Sequence, residues 1–164
     1  MKKTMLLFAC VLLMATAAIS QNITRVKITD IEKRIDESDK PLVINFWATF
    51  CKPCVEEMPH FQKLADEYKS QGIQLLFVSL DLEEDYPATI RQQIKKLKIT
   101  APVNWLDEFD ADYFCPKIDS TWSGSLPATL FINRNTGYRQ FREQVISEAA
   151  LRKELDAMLQ RSAQ

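Results

Sequence analysis

The chain has 164 residues, 46% of them hydrophobic and 26% charged, which suits one well-packed globular domain. Lys and Arg number 21 against 22 Asp and Glu, so neither a nucleic-acid footprint nor a polybasic membrane anchor is indicated. His60 is the single histidine, which leaves one candidate for any scheme that needs an imidazole base.

Residues 1–20, MKKTMLLFACVLLMATAAIS, open with Lys2 and Lys3, continue with an apolar run over 5–14 and end in small residues. That is the pattern of a secretory signal peptide, with cleavage expected after Ser20 and a mature domain over 21–164. The apolar run is short for a spanning helix, which makes an uncleaved anchor the lesser alternative. Phe8 and the brief run before Cys10 fit a lipoprotein signal poorly, so Cys10 reads as a hydrophobic residue of the leader. Removing Lys2 and Lys3 takes the net charge from −1 to −3. The expected location is exported, hence periplasmic in a Gram-negative cell. Cys51, Cys54 and Cys115 remain; an odd count leaves a free or intermolecularly paired thiol and argues against a structural disulfide framework.

Ile28, Ile31 and Ile35 recur at helical spacing, and Asp39-Lys40-Pro41 ends that helix. LVINFW over 42–47 predicts a strand buried on both faces. A helix is expected over 53–70, with Val55, Met58, Phe61, Leu64, Ala65 and Tyr68 along one side, ended by Gly72. IQLLFVSL over 73–80 predicts a second buried strand, parallel to the first through a right-handed crossover. An acidic loop covers 81–86, then Ile90, Ile94 and Leu97 give another helical spacing. A short strand is expected over 103–106, and 107–125 reads mostly as loop. The segments 129–133 and 137–142 flank Arg134-Asn135-Thr136 as an antiparallel hairpin. A closing helix carries Leu151, Leu155, Met158 and Leu159. The expected outcome is an α/β domain, a mixed sheet with helices on both faces.

The candidate chemistry lies in Cys51-Lys52-Pro53-Cys54. Between a strand ending at Trp47 and a helix opening near it, Cys51 falls at a helix N-terminus, where free N–H groups and the helix dipole favour an anion. The thiolate is the attacking species in disulfide exchange, and this setting draws the thiol below its free pKa of about 8.5. Lys52 adds positive charge, and Pro53 suits the first turn, where its missing N–H costs nothing. Cys54, one turn further in, is expected to be the more buried, resolving thiol. Other chemistries use the same residue types. Cys51, Cys54, His60 and Cys115 could supply zinc ligands, although without metal-knuckle spacing. A purely structural disulfide within one helical turn would gain little chain entropy. A CxxC that follows a buried strand and opens a helix favours redox exchange over both.

LVINFWATFCKPC, followed by SLPATLFIN over 125–133, resembles the thioredoxin fold, and within it the exported TlpA- and ResA-like thiol–disulfide oxidoreductases. The resemblance covers the chain from about Ile23 to the last helix and implies a three-layer sandwich. It makes Cys51 the attacking and Cys54 the resolving cysteine, with Pro127 as a cis-proline and Leu126 offering backbone hydrogen bonds to a bound polypeptide. Trp47, Phe50, Lys52 and Pro53 would be the other substrate contacts. Asn45 stands where cytoplasmic-type thioredoxins carry a buried aspartate. Glu57 matches a glutamate that the exported relatives often place three residues after the second cysteine. One turn beyond Cys54, it would carry the resolving thiol's proton if burial raises its pKa; the alternative is a solvated acid, as for Glu56. Phe50 replaces the usual Trp, keeping an apolar cover over the site.

Cys115 reads either as a third redox thiol or as a small buried hydrophobe, and Phe114 and Trp122 are expected to cap the substrate groove. No metal and no cofactor beyond a Cys51–Cys54 disulfide is implied. The implied partners are disulfide-bearing exported proteins and a membrane-bound dithiol electron donor, with no nucleic acid and a monomeric chain. A thiol peroxidase and a metal-binding or chaperone-like module are the alternatives; the peroxidase would need a Pro-x-x-x-Thr/Ser-x-x-Cys arrangement that is missing around Cys51.

Overall fold

The computed structural model describes residues 21–160. The signal peptide expected over 1–20, its cleavage point and Cys10 lie outside the described residues. In chain order the elements are β1 (Ile23–Val26), α1 (Ile28–Glu37), β2 (Leu42–Trp47), α2 (Lys52–Glu67), β3 (Gln74–Ser79), α3 (Ala88–Lys96), β4 (Val103–Leu106), α4 (Ala111–Ile118), β5 (Ala128–Asn133), β6 (Tyr138–Arg142) and α5 (Glu148–Leu159). The strands form one mixed sheet in the order β1-β4-β3-β2-β5-β6. β1, β4, β3 and β2 pair in parallel, while β5 runs antiparallel to both β2 and β6.

Successive strand side chains point to opposite faces, and β2 divides its residues accordingly. Leu42, Ile44 and Phe46 pack with Ile28, Ile31 and Ile35 of α1 and with Phe114 and Ile118 of α4. Val43 and Trp47 pack on the other side with Met58, Phe61 and Leu64 of α2 and with Leu151, Leu155 and Met158 of α5. All six residues of β2 are buried. Each fully buried Leu, Ile or Phe side chain contributes about 1.5–3 kcal/mol, so this strand is fixed at the centre of the sheet. Asn45 shares the face of Val43 and Trp47, which directs a polar side chain toward α2.

The buried positions of α2 are Cys54, Glu57, Met58, Phe61 and Leu64. They recur at the three- and four-residue spacing of one helix face, so the carboxyl of Glu57 is carried inside by its apolar neighbours. Pro59 lies within this helix but on its exposed side. A 3-10 turn over Lys69–Gln71 ends at Gly72, whose φ of 85° suits a residue without a side chain.

The expected mixed sheet between two helical layers is the fold found. Two elements differ from the sequence reading. β1 pairs with β4 at the sheet edge, and its four residues are too few to show a clear alternation. The region 107–125, expected as loop, contains α4. Asp110 caps that helix by accepting from the Asp112 N–H at 3.1 Å, and Phe114, Cys115 and Ile118 are buried beneath it. Pro116 lies near its C-terminal end, and a proline there reads in sequence as a break.

Candidate active site

The connection from β2 to α2 places the cysteine pair. The Cys51 N–H donates to the Ala48 carbonyl at 3.1 Å, which turns the chain directly after the strand. Cys51 is the N-cap of α2, and its sulfur accepts from the Cys54 N–H at 3.4 Å. Cys51 and Cys54 are joined as a disulfide with their Cα atoms 5.3 Å apart. The two cysteines differ in access, since Cys51 keeps 9% of its surface exposed and Cys54 none. Cys51 opens into a groove of about 430 Å³ lined in part by Phe50, Leu82, Phe109, Phe114 and Leu126.

Behind the pair lies a buried polar cluster. Asn45 Nδ2 donates to Glu57 Oε1 at 3.0 Å and to Thr129 Oγ1 at 3.0 Å. Sheet register explains the second contact, because Asn45 and Thr129 are opposed across β2 and β5. The Ile146 N–H, just before α5, donates to Glu57 Oε2 at 2.8 Å. Glu57 is only 2% exposed. Loss of hydration pushes its carboxyl up to about 7, against the opposing pull of the Ile146 and Asn45 hydrogen bonds. A carboxyl that titrates near neutrality therefore sits one turn beyond the buried sulfur of Cys54.

A second buried acid fixes the active-site loop. Asp81, 1% exposed at the end of β3, accepts from the Thr49 N–H at 2.9 Å, the Thr49 hydroxyl at 2.5 Å and the Ser79 hydroxyl at 2.6 Å. Its own carbonyl accepts from Trp105 Nε1 at 2.7 Å. Thr49 lies two residues before Cys51, so this carboxylate ties the loop that carries Cys51 to the end of the neighbouring strand.

The sequence pattern of the AhpC/TSA family matches residues 14–137, more than half of the chain. The chain belongs to the AhpC/TSA family. Within it, the chain is similar to proteins named thiol-disulfide oxidoreductase ResA. It is 32% identical to one from Bacillus cereus over 139 residues, 82% of this chain and 72% of that protein. It is 32% identical to the one from Halalkalibacterium halodurans over 96 residues, 58% of this chain and 49% of that protein. The chain thus spans about half the length of some curated relatives that it matches. A crystal structure of a thiol:disulfide interchange protein of the thioredoxin family from Chlorobium tepidum TLS superposes with a TM-score of 0.62. At 17% identity it covers 77% of this chain and 85% of that one. That likeness places this AhpC/TSA chain in the thioredoxin fold.

The structure brings Cys51, Phe50 and Leu126 together along the groove. The Leu126–Pro127 bond is cis, the form that the resemblance implied, and Pro127 itself is buried. Lys52 and Pro53 lie exposed on the first turn of α2, outside the groove lining, with Lys52 Nζ 3.7 Å from Glu56. Two expectations, for Trp47 and Trp122, need correction. Trp47 is wholly buried in the face packed on α2, so it supports the site from beneath and does not offer a substrate contact. Phe50, in the turn after β2 with 70% of its surface exposed, lines the groove next to Cys51 as an apolar surface. Trp122 belongs to the core on the α1 side, in tilted and edge-on ring contact with Phe46, Phe114 and Phe141, with Nε1 donating to the Ser125 carbonyl at 3.0 Å.

Cys115 is buried in the same core, and burial, with the Glu143 and Asp112 charges, pushes its thiol up to about 11. That is the setting of a small hydrophobe rather than a reactive thiol. Among the described residues, no three His, Cys, Asp or Glu side chains are grouped as a metal site requires. Sequence reasoning missed Asp81, Thr129 and the second cis bond, Tyr86–Pro87. The available signal for Asp81 is an acid immediately after a buried strand, which in sequence looks like the start of a solvated loop.

Proposed function

We propose that this chain is a thiol–disulfide oxidoreductase that reduces disulfides of exported proteins through Cys51 and Cys54. The observation that carries the reading is the asymmetry of the pair: Cys51, at a helix N-terminus, opens to a groove, and Cys54 is fully buried one helical turn before a titratable acid. The names of the ResA relatives support the same class of reaction.

In the dithiol form, the Cys51 thiolate attacks a substrate disulfide. The substrate S–S bond breaks, one substrate thiolate leaves and takes up a proton, and the other sulfur stays bound to Cys51. Cys54 then loses its proton and attacks the Cys51 sulfur, which releases the second substrate thiol and restores the Cys51–Cys54 disulfide. Two electrons pass from protein to substrate. A thiol buried as Cys54 is needs a nearby proton acceptor, and Glu57, on the same buried face, takes that proton and returns it when the pair is reduced again. Asn45, Thr129 and the Ile146 N–H hold its carboxyl in place.

Export through the leader over 1–20 and recharging by a membrane-bound dithiol donor complete the reading, since a reductase in an oxidising compartment needs a source of electrons. No helix among the described residues is long and apolar enough to cross a membrane. The test is catalysed reduction of insulin disulfides with dithiothreitol as donor, together with the reduction potential of the pair against glutathione. Catalysis that is lost in Cys51→Ser, with a potential near about −270 mV, supports a reductase; a potential near about −120 mV contradicts it. Catalytic turnover of hydrogen peroxide would instead favour a thiol peroxidase.

A further inference from the structure

The groove beside Cys51 carries an unusual combination of surfaces. Phe50, Phe109 and Leu82 are 70%, 60% and 50% exposed, and all three line the groove that Cys51 opens into. Large exposed apolar side chains gathered in one place mark an interaction site. The two segments that supply Leu82 and Phe109 are DLEEDY over 81–86 and DEFDAD over 107–112. They hold eight carboxylates and no Lys, Arg or His.

Part of that charge is used within the fold. Asp81 is committed to Thr49 and Ser79. Asp107 pairs with Arg25 at 2.9 Å and Lys27 at 3.0 Å, and Glu83 lies 3.8 Å from Arg25. Asp110 caps α4. Glu84, Asp85, Glu108 and Asp112 have no Lys, Arg or His ion-pair partner among the described residues, and Glu108 itself lines the groove. An apolar groove with an unpaired carboxylate, Glu108, in its lining repels phosphate-bearing partners and attracts cations.

We propose that this groove selects disulfide-bearing polypeptides in which the attacked cysteine is flanked by a large apolar side chain and by Lys or Arg. The proposal rests on the exchange reaction described above and names its substrate class. The apolar side chain occupies the space between Phe50, Leu82 and Phe109, and the cation lies against Glu108. That seating brings the substrate sulfur to the exposed edge of Cys51. The Cys51 thiolate then displaces the partner thiolate from the peptide cysteine, and Cys54 releases the peptide as a thiol.

The test uses peptides with one cysteine linked by a disulfide to a chromogenic aryl thiol, mixed with the dithiothreitol-reduced and desalted protein. The cysteine is flanked by Leu and Arg, by Leu and Glu, or by Gly and Ser only. The Leu–Arg peptide should react about ten- to a hundred-fold faster than the Leu–Glu peptide at low ionic strength, with the ratio shrinking as salt is added. A Glu108→Gln variant should lower the Leu–Arg to Leu–Glu ratio. Phe109→Ser should lower the preference for Leu–Arg over the Gly–Ser peptide. Each ratio is taken within one preparation, so a loss of folded protein cancels. Equal rates for all three peptides, or ratios unmoved by the substitutions, overturn the proposal while leaving the exchange reaction standing. Reaction with none of the peptides overturns both.

Discussion

Replacing Glu57 with Gln removes a buried group that changes charge near neutrality, and the consequence for stability has a definite sign. The folded carboxyl titrates at about 7 and the unfolded one near 4.5. Each tenfold difference in proton affinity is worth about 1.4 kcal/mol, so the gap corresponds to about 3 kcal/mol. Below about pH 4.5 both states hold the proton, and the neutral acid fits its site in full. Between these values the unfolded chain releases its proton while the folded one keeps it, so the stability that the group contributes falls as pH rises and is lost by about pH 8. Gln has no proton to lose, and its stability lacks this component at every pH. Urea unfolding of both proteins from pH 4.5 to 8, with the disulfide intact, gives the difference directly, because other titrations are common to both. Wild type should lose about 3 kcal/mol relative to Glu57→Gln across this range, which at about 2 kcal/mol per molar urea moves the relative midpoint by about 1.5 M. A difference that stays flat with pH would refute the argument, since it would mean that the carboxyl ionises as it does in water.

Two further outcomes follow from buried groups. Asp81→Ala leaves the Thr49 N–H and the Thr49 and Ser79 hydroxyls without their acceptor, so it should lower stability by about 2–4 kcal/mol in urea unfolding; a loss under about 0.5 kcal/mol would show that the loop does not depend on it. Cys115, buried and with its thiol pushed up to about 11, should stay unmodified by iodoacetamide in the folded protein at pH 8 and be alkylated after unfolding, as read by peptide mass spectrometry. Rapid modification of Cys115 in the folded state would reopen its reading as a redox thiol.

The sheet centre was legible because β2 and β3 are nearly unbroken apolar runs, and α2 because its apolar residues recur on one face. The cysteine pair was legible for the same reason, since its place between strand and helix follows from those two patterns. Glu57 was recognised by resemblance, yet its burial has a local cause, namely that it occupies the same stripe as Met58, Phe61 and Leu64. What escaped was tertiary. Thr129 meets Asn45 only through strand register, and the Ile146 N–H reaches Glu57 from 89 residues away. The resemblance made Trp47 a substrate contact, but it lies in a strand buried on both faces and packs against α2. α4 was hidden by Pro116, and with it the acidic and aromatic margin that Glu108 and Phe109 give the groove.

The central claim is that Cys51 attacks and Cys54 resolves, and trapping the intermediate tests it most directly. Cys54→Ser, reduced and then mixed with a disulfide-bearing polypeptide, should accumulate a covalent complex whose mass-mapped linkage is to Cys51, and the complex should not form with Cys51→Ser. A complex formed equally well without Cys51, or a linkage mapped to Cys115, would contradict the account.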